Sequence, residues 1–436
     1  MTGTAPADRT PRTALRWAVA HGLPAMYLTR AARRGDLVAR LLRDPRLRAD
    51  PHPVYERLRA RGPVSDSSLG LVTPSHRVAA EVLRSEAFGV GWHRSTAPRW
   101  VQWLLTATDD PAADGVAEPP SMLVTDPPDH TRYRRLVSRA FTPRATAAFE
   151  PRIEAIARSL LDQLDGGGDP VDLVAGYAAP LPVLVIAELL GVPTDRRADF
   201  LRWGGAAAVT LDPGLPYRRY AEAEGALRAM HRFLSGHFDR LRRDPGDDLV
   251  SHLVGLPDDA LTDRELHAVV MLLLGAGFET TVNLLSNAVV LLDAHRDQWN
   301  GLAADPSGWD LAVEEVLRYD SPVQLTGRTA LADTTVAGRP VPAGSRVTVL
   351  LGAANRDPEV FTDPARFDVT RANARDHLAF SAGIHYCLGA GLARLEAAGA
   401  LRVLAERFPR LRVAGPPVRR DLQTLRGFSR LPVRLR

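Results

Sequence analysis

The chain has 436 residues, of which 45% are hydrophobic and 24% are charged, so it can bury a large core and is not a disordered chain. Its 55 basic residues are all Arg, and against 51 acidic residues they leave a net charge of +4. That excess is too small for a dedicated nucleic-acid binder. The single cysteine, Cys387, excludes an intramolecular disulfide and any metal cluster held by several Cys ligands.

The first 49 residues are an Arg-rich, helical-looking lead segment to which the sequence assigns no role, and residues 50–436 form the main body. The pattern predicts a helix through Arg61, strand-like sequence over Val64–Val72, and a helix from Pro74 to about Arg84. The lead segment does not have the pattern of a signal peptide. The longest clean apolar run, Ala268–Phe278, is shorter than the ~20 residues of a membrane span. We therefore expect a cytoplasmic protein without a membrane span.

Residues 89–125 differ in composition from the rest of the chain. They contain Trp92, Trp100 and Trp103, followed by a polar stretch from Thr106 to Pro120. This composition predicts a long, mobile loop with an aromatic part. Two interpretations remain open: a lid or binding loop, and a surface insertion whose Trp side chains pack on the core.

Helical periodicity dominates the middle of the chain. Asp126 followed by two prolines predicts a helix start with Asp126 as the N-cap. The capping-box pair Thr262 and Glu265 opens a long helix that runs to about Asp293. Strand-like segments return late, at Val341–Leu350 and Pro432–Arg436. Without a repeat or a clear linker, the simplest architecture is one large, mainly α domain with small β-sheets.

Cys387 stands at the start of a helical pattern that runs from Leu388 to Phe408. Free N–H groups and the helix dipole at such a position favour an anion, so we expect a lowered thiol pKa and a thiolate. Gly383 and Gly389 permit the backbone to approach the sulfur and a flat ligand. His385 is placed to bond an acidic group on that ligand.

Phe380, Gly383, His385, Cys387 and Gly389 match every fixed position of the haem-binding loop of the cytochrome P450 family, Phe-x-x-Gly-x-His-x-Cys-x-Gly. The resemblance covers residues 50–436 and implies the cytochrome P450 fold with haem b (iron-protoporphyrin IX) as cofactor. It implies that Cys387 is the axial ligand of the haem iron, and that Phe380, Gly383 and Gly389 belong to the cofactor-binding loop. A thiolate ligand donates electron density that promotes O–O cleavage.

The long helix contains a second motif in which Ala276 lies between two glycines and Glu279 precedes Thr280. Glycines and Thr side chains loosen the helical hydrogen-bond ladder locally and open a groove for O2 and water. The segment resembles the oxygen-binding helix of the family. That resemblance implies that Ala276 is a cofactor-binding residue, that Thr280 bonds dioxygen and that Glu279 supplies protons. Phe278 departs from the family pattern, where a polar residue such as His is frequent.

Glu315 and Arg318 are three residues apart and can pair on one helix face. The same spacing recurs at Glu56/Arg59 and at Glu81/Arg84. Only the first pair lies between the oxygen-type helix and the Cys loop. The resemblance implies that it is a buried structural ion pair with a role in folding and haem retention.

Four cationic side chains are candidates for binding the two haem propionates. His130 and Arg134 are four residues apart and share a helix face, and Arg is suited to carboxylates because it offers paired donors. By resemblance to the family, His130, Arg134, Arg328 and His385 are propionate partners. The alternative is that they are solvated surface charges.

The resemblance implies a monooxygenase that inserts one atom of O2 into a C–H or C=C bond of its substrate. Its electrons come from NAD(P)H through a separate ferredoxin and ferredoxin reductase, since no flavin domain or iron–sulfur motif is present. Arg132, Arg135 and Arg139 are either a ferredoxin-binding face or a solvated face. The alternatives are a peroxide-driven peroxygenase, oxidative aryl or phenol coupling, and a non-catalytic haem- or lipophile-binding protein.

We expect a small lipophilic substrate from secondary metabolism, free or tethered to a carrier protein. The Trp-rich loop favours an aromatic or bulky hydrophobic molecule. The enzyme is expected to be a monomer. By position in the family, the candidates for the substrate pocket are Trp92, Trp100, Trp103, Leu272, Ala276, Phe278, Val323, Leu325 and Phe428.

Overall fold

The computed structural model describes residues 10–91, 99–257 and 259–436, and Trp92 lies outside these residues. Most of the described chain is helical, with short strands near the start, in the middle and at the end. The α-helices are α1 (Pro11–Trp17), α2 (Leu23–Arg33), α3 (Leu37–Arg43), α4 (Pro45–Ala49), α5 (His52–Arg59), α6 (His76–Arg84), α7 (Arg99–Ala107), α8 (Asp129–Val137), α9 (Pro143–Ala147), α10 (Glu150–Asp165), α11 (Pro180–Leu189), α12 (Arg197–Val209), α13 (Tyr217–Arg243), α14 (Leu249–Val254), α15 (Asp263–Ala294), α16 (Arg296–Ala304), α17 (Trp309–Tyr319), α18 (Leu351–Ala354) and α19 (Ala390–Arg407).

The strands form small sheets at the periphery of the helices. They are β1 (Ser65–Ser67), β2 (Gly70–Thr73), β3 (Phe88–Gly89), β4 (Val171–Asp172), β5 (Thr326–Ala330), β6 (Thr334–Val336), β7 (Arg339–Val341), β8 (Arg346–Val349), β9 (Arg412–Val413), β10 (Val418–Arg419), β11 (Phe428–Arg430) and β12 (Pro432–Arg434). The largest sheet has the order β1-β2-β8-β5-β3, in which only β2 and β8 run parallel. The others are β4-β12-β9, β10-β11 and β6-β7. The structure confirms a mainly α fold with small sheets.

The helix α15 is the centre of the core and packs against α11, α12, α17 and α19. It begins with the predicted capping box, in which Thr262 and Glu265 bond each other's backbone N–H groups. Among the described helices, α15 is long and apolar enough to cross a membrane. Most of its apolar stretch is buried inside the protein, as is usual for a central core helix.

The chain from residue 89 to 125 contains a helix, α7, where the sequence predicted a loop. The reason is local, because no Gly or Pro interrupts the stretch from Arg99 to Ala107. Trp100 and Trp103 are 57% and 68% exposed on this helix. The interpretation that these two side chains pack on the core is therefore wrong.

The predicted role of Asp126 as an N-cap is also wrong. The helix α8 begins three residues later, at Asp129. The Asp126 carboxylate instead accepts hydrogen bonds from the N–H groups of Val90 and Gly91, at 2.8 and 3.2 Å. It therefore joins the segment before α8 to the end of β3.

The described part of the lead segment, residues 10–49, is folded into helices α1 to α4. Its apolar side chains share one buried cluster with the body of the protein; Leu28 and Leu41, for example, pack with Tyr55 and Leu350. The predicted strand over Val341–Leu350 is divided into β7 and β8 by a turn at Gly344, which has φ of +80°. The strand predicted at the C-terminus is present as β12.

Candidate functional site

Cys387 lies in a tight loop that leads into α19, whose N-cap is Gly389. The Cys387 N–H donates a 2.9 Å hydrogen bond to the Phe380 carbonyl and so closes the loop on itself. Ser381 and Gly383 have φ of +63° and +69°. A Cβ at Gly383 would overlap the Leu83 carbonyl, so this position needs glycine both for its φ and for the close approach of α6.

The loop is fixed from outside by ionic and aromatic contacts. The Arg394 guanidinium lies 4.5 Å from the centroid of the Phe380 ring and donates to Glu314 and to the Tyr386 hydroxyl. Glu314 also bonds His377, at 2.9 Å, just before the loop. The sulfur is thus held in place by α17 and α19 together.

The environment of the Cys387 sulfur differs from the sequence expectation. The residue has exposed surface, yet the protein packed around the sulfur raises the pKa of the thiol because it withdraws a thiolate from water. The backbone N–H of Gly389 and the charges of Arg134 and Arg394 oppose this effect only in part. The predicted lowering of the thiol pKa is therefore wrong for the protein alone, and α19 begins only at Ala390, three residues away.

The four predicted cationic side chains come together around this loop. The His130 and His385 rings are 4.1 Å apart, and His385 Nε2 is 3.9 Å from the Asp126 carboxylate. Arg134 donates to the Tyr386 carbonyl at 2.7 Å. Arg328 reaches the loop from β5 and donates to the Ser381 hydroxyl at 3.3 Å.

These side chains are not solvated surface charges. His130 and Arg328 are buried, and Arg134 and His385 are half-buried. Burial lowers the pKa of His130 to about 4, with the neighbouring His385 and Arg134 adding to the effect. Burial also lowers the pKa of Arg328 to about 10, although the charge of Asp126 opposes it.

The same side chains have unused hydrogen-bonding capacity. Within the described residues, the buried Nε2 atoms of His130 and His385 have no hydrogen-bond partner. Arg328 and Arg134 make no ion pair to a carboxylate anywhere in the described ranges. Buried donors of this kind are normally satisfied, so the cluster fits an anionic ligand with carboxylate groups.

Asp126 also belongs to the site, although the sequence analysis identified it only as an N-cap. Burial alone would raise the pKa of its carboxyl, but the neighbouring His385 ring and the hydrogen bonds from the N–H groups of Val90 and Gly91 lower it to about 2. The signal in the sequence that could have identified Asp126 as a site residue is its position four residues before His130. The sequence did not indicate that the chain turns back there to meet His385.

The centre of α15 combines a buried acid with an accessible alcohol. Ala276 is exposed and Thr280 is half-buried, while most residues around them are buried. The Thr280 hydroxyl donates to the Ala276 carbonyl at 3.2 Å, which places both on one face of the helix. Glu279 is 3% exposed and lies on another face, with its Oε1 2.5 Å from Nη1 of Arg420. Burial raises the pKa of Glu279, and the charge of Arg420 offsets this only in part.

Two of the substrate-pocket candidates on α15 are core residues. Phe278 is 1% exposed and presses against α12, where a Cβ on Gly204 would overlap its ring. Its side chain projects from the face opposite to Ala276 and Thr280, because two residues turn a helix by about 200°. The pocket role predicted for Phe278 is therefore wrong. Leu272 is also part of the buried core.

The other pocket candidates are dispersed. Phe428 is buried in the main core beneath the Arg419 guanidinium. Val323 is half-buried and pairs with Leu425 in an isolated β-bridge. Leu325 lines a cavity of about 320 Å³ between the lead segment and residues 419–427. The structure does not gather these side chains into one pocket with the exposed Trp100 and Trp103.

Glu315 and Arg318 form the predicted buried ion pair, at 2.6 Å. Of the three cations proposed as a ferredoxin-binding face, Arg132 pairs with Glu265 and Asp129, whereas Arg135 and Arg139 are exposed.

Comparison with known proteins places these features in a family. Residues 309–431 match the family model described as Cytochrome P450. The chain is 44% identical to a putative cytochrome P450 140 of Mycobacterium tuberculosis, over 97% of both chains. It is 43% identical to the vitamin D(3) 25-hydroxylase of Pseudonocardia autotrophica, over 88% of this chain and 93% of that one. The solved structure of P450BioI in complex with an acyl carrier protein ligated to hexadec-9Z-enoic acid has a TM-score of 0.81, with 34% identity over 90% of this chain and 99% of that one.

The chain therefore belongs to the cytochrome P450 family. Its members contain haem iron and act as monooxygenases, so the protein is an oxidoreductase that uses O2.

Proposed function

We propose that Cys387 would bind the iron of haem b through its thiolate, and that His130, Arg134, Arg328 and His385 would bind the haem propionates. The observation that carries this proposal is the cluster of four cationic side chains around the Cys387 loop. Among the described residues, the buried Nε2 atoms of His130 and His385 have no hydrogen-bond partner, and Arg134 and Arg328 bond only carbonyl and hydroxyl oxygens. Loading would give these donors carboxylate partners. Iron binds the deprotonated sulfur. Coordination would therefore favour the thiolate and offset the effect of burial, which raises the pKa of the thiol.

Haem iron with a thiolate ligand supplies the activation of O2. The residues of this chain position the reacting groups, keep bulk water out and deliver protons. Thr280 presents its hydroxyl on the accessible face of α15 beside Ala276. Burial raises the pKa of Glu279, which favours uptake of a proton by its carboxyl, and Glu279 passes that proton toward the Thr280 hydroxyl. The apolar core around α15 excludes bulk water from this relay.

Electrons come from NAD(P)H through a ferredoxin and its reductase. The exposed Arg135 and Arg139 support a basic docking face on or next to α8, while Arg132 is engaged with Glu265. The retained Glu279 and Thr280 favour this route over a peroxide-driven peroxygenase. The alternatives of aryl or phenol coupling share all of these residues and are distinguished by the product.

The substrate is a small lipophilic molecule, such as a secondary-metabolite intermediate. The vitamin D(3) 25-hydroxylase and the P450BioI complex support lipophilic substrates, the latter on a carrier protein. We place the enzyme in the cytoplasm as a monomer.

The test uses ferric holoprotein titrated with vitamin D3, with free hexadec-9Z-enoic acid, and with the same acid on acyl carrier protein. Probes that change the haem spectrum are then turned over under ¹⁸O₂ with NADPH, ferredoxin and reductase. We expect one ¹⁸O atom in the product and a fall in product per NADPH in Thr280→Ala. Product formed only with added peroxide, or equal coupling in Thr280→Ala, contradicts the proposal.

A further inference from the structure

Asn283 is a fully buried amide on α15, one helical turn after Glu279. Neither its Oδ1 nor its Nδ2 has a hydrogen-bond partner within the described parts of the chain. An amide without partners in an apolar surrounding is costly, and buried polar groups of this kind usually bind an ordered water. A donor and an acceptor that are both unused point to a water molecule next to this side chain.

The connection between β10 and β11 covers Asn283 from outside. A Cβ at Gly427 would overlap the Asn283 amide, so the backbone of this connection lies directly against it. The Arg420 N–H donates to the Gly427 carbonyl at 3.1 Å and fixes the turn. Residues four apart share a helix face, so Glu279 and Asn283 both face this connection.

The contact between Arg420 and Glu279 is close but incomplete. Arg420 Nη1 lies 2.5 Å from Glu279 Oε1, yet the geometry is not that of a hydrogen bond and Oε1 has no such partner among the described residues. The Arg420 side chain is 21% exposed. It therefore reaches from the buried carboxylate to a region that water can enter.

Arg420 and Gly427 also form part of the wall of the cavity of about 320 Å³. Polar groups from Tyr55 and Gln324 line the same cavity, and these two are joined by a 2.8 Å hydrogen bond. Arg420 touches Glu279, and Gly427 touches Asn283. Both residues thus also border a cavity that is large enough for several waters.

We propose that Asn283 is a positioning residue that holds a water molecule beside Glu279, and that this water connects the Glu279 carboxyl with the cavity behind Arg420 and Gly427. Protons then reach Glu279 from the side of residues 419–427. The water gives a proton to a Glu279 carboxylate oxygen and is replenished with a proton from the cavity. This inference deepens the proposed relay and rests on Glu279 having a part in it.

The first test follows hydrogen–deuterium exchange of the Glu279 carboxyl in ferric holoprotein by infrared spectroscopy. Glu279→Gln identifies the carboxyl band, and a titration of that band gives a pH at which Glu279 is protonated. We expect Asn283→Leu to slow the exchange by about tenfold, as for the loss of one hydrogen bond of ordinary strength. Asn283→Ser keeps a group that can hold the water and should retain fast exchange.

The matched control is Asn287→Leu, one turn further on the same helix. Asn287 is equally buried, but its Nδ2 already bonds the carbonyls of Asp320 and Arg426, and only its Oδ1 has no hydrogen-bond partner among the described residues. We expect that variant to be less stable but to exchange at the parent rate. Equal exchange rates in Asn283→Leu and the parent overturn the proposal, and so does slow exchange in Asn287→Leu. If Asn283→Leu does not fold, slow exchange in Asn283→Ser overturns it as well.

A crystal structure of the ferric holoenzyme gives the second measurement. We expect an ordered water within hydrogen-bond distance of both Asn283 side-chain atoms and of Glu279, and a dry Asn283 contradicts the proposal. Neither measurement uses electrons, substrate or turnover. A failure here therefore leaves the monooxygenase proposal standing, and a failure of oxygen incorporation leaves the exchange result valid.

Discussion

Glu315 and Arg318 form a bidentate ion pair in which neither side chain is exposed to solvent. Arg318 also donates to the carbonyls of Asn355, Pro364 and Arg366. The pair thus ties α17 to the irregular chain that precedes the Cys387 loop. Removing one partner of such a pair leaves an uncompensated buried charge.

We expect Glu315→Ala to lower the free energy of unfolding by about 3–5 kcal/mol and to reduce the yield of haem-loaded protein. The control is Glu56→Ala, which breaks a pair of the same spacing whose carboxylate is 65% exposed. It should cost less than about 1 kcal/mol. Urea unfolding followed by circular dichroism measures both, and equal losses in the two variants would mean that burial of the pair is irrelevant.

The contact between Gly204 and Phe278 gives a second prediction. Gly204→Ala places a methyl group where the Phe278 ring stands, so overpacking should cost about 1–3 kcal/mol. Phe278→Leu makes room, and the double variant should therefore lose less than the sum of the two single variants. Thermal unfolding of the parent, the two single variants and the double variant measures this coupling. Strict additivity would show that the two residues do not press on each other.

Arg16 anchors the lead segment through buried charges. Its guanidinium pairs with Glu118 and lies 3.7 Å from Asp114 and 3.6 Å from Glu224. Arg16→Met should cost about 2 kcal/mol, below the usual loss for a buried pair, since other arginines also contact Asp114 and Glu224. Limited proteolysis should then cut the lead segment faster. The control is Arg30→Met, at an exposed position on α2, and this variant should resist proteolysis as well as the parent does.

Glu396 gives a pH-dependent prediction. It is buried on α19, and burial raises the pKa of its carboxyl well above the ordinary value of 4.5. Above pH 4.5 the unfolded chain releases this proton while the folded protein retains it, so stability falls as pH rises toward the folded pKa. The fall is at most about 1.4 kcal/mol per pH unit.

Glu396→Gln removes that proton equilibrium, so the stability of the variant relative to the parent should increase from pH 4.5 upward. Glu359→Gln, at an exposed position, should follow the parent at every pH. Denaturant unfolding at a series of pH values measures the difference. If the free energy of unfolding of the parent and of Glu396→Gln changes with pH in the same way, the prediction is contradicted.

The local motifs were predictable from sequence because their chemistry lies within a few residues. The Phe380-to-Gly389 loop, the capping box of α15 and the spacing of Glu315 and Arg318 each carry their own signal. The fold class followed from the same motifs and from helical periodicity. These features depend on the chain near them and little on its distant parts.

Features that depend on distant segments were not predictable. Arg420 reaches Glu279 across 141 positions in an Arg-rich chain, and nothing distinguishes it in sequence from its neighbours. Phe278 was assigned to a pocket because its motif is functional, whereas the helix turns it toward Gly204. The thiol pKa of Cys387 depends on how densely the fold surrounds the sulfur, which spacing does not reveal.

The central claim is that Cys387 binds haem iron as a thiolate, and the visible spectrum of the reduced protein with carbon monoxide tests it most directly. We predict the red-shifted Soret band of a thiolate-ligated haem, and its loss in Cys387→Ser. The absence of haem, or a band typical of a His-ligated or neutral-thiol haem in the parent protein, would contradict the claim.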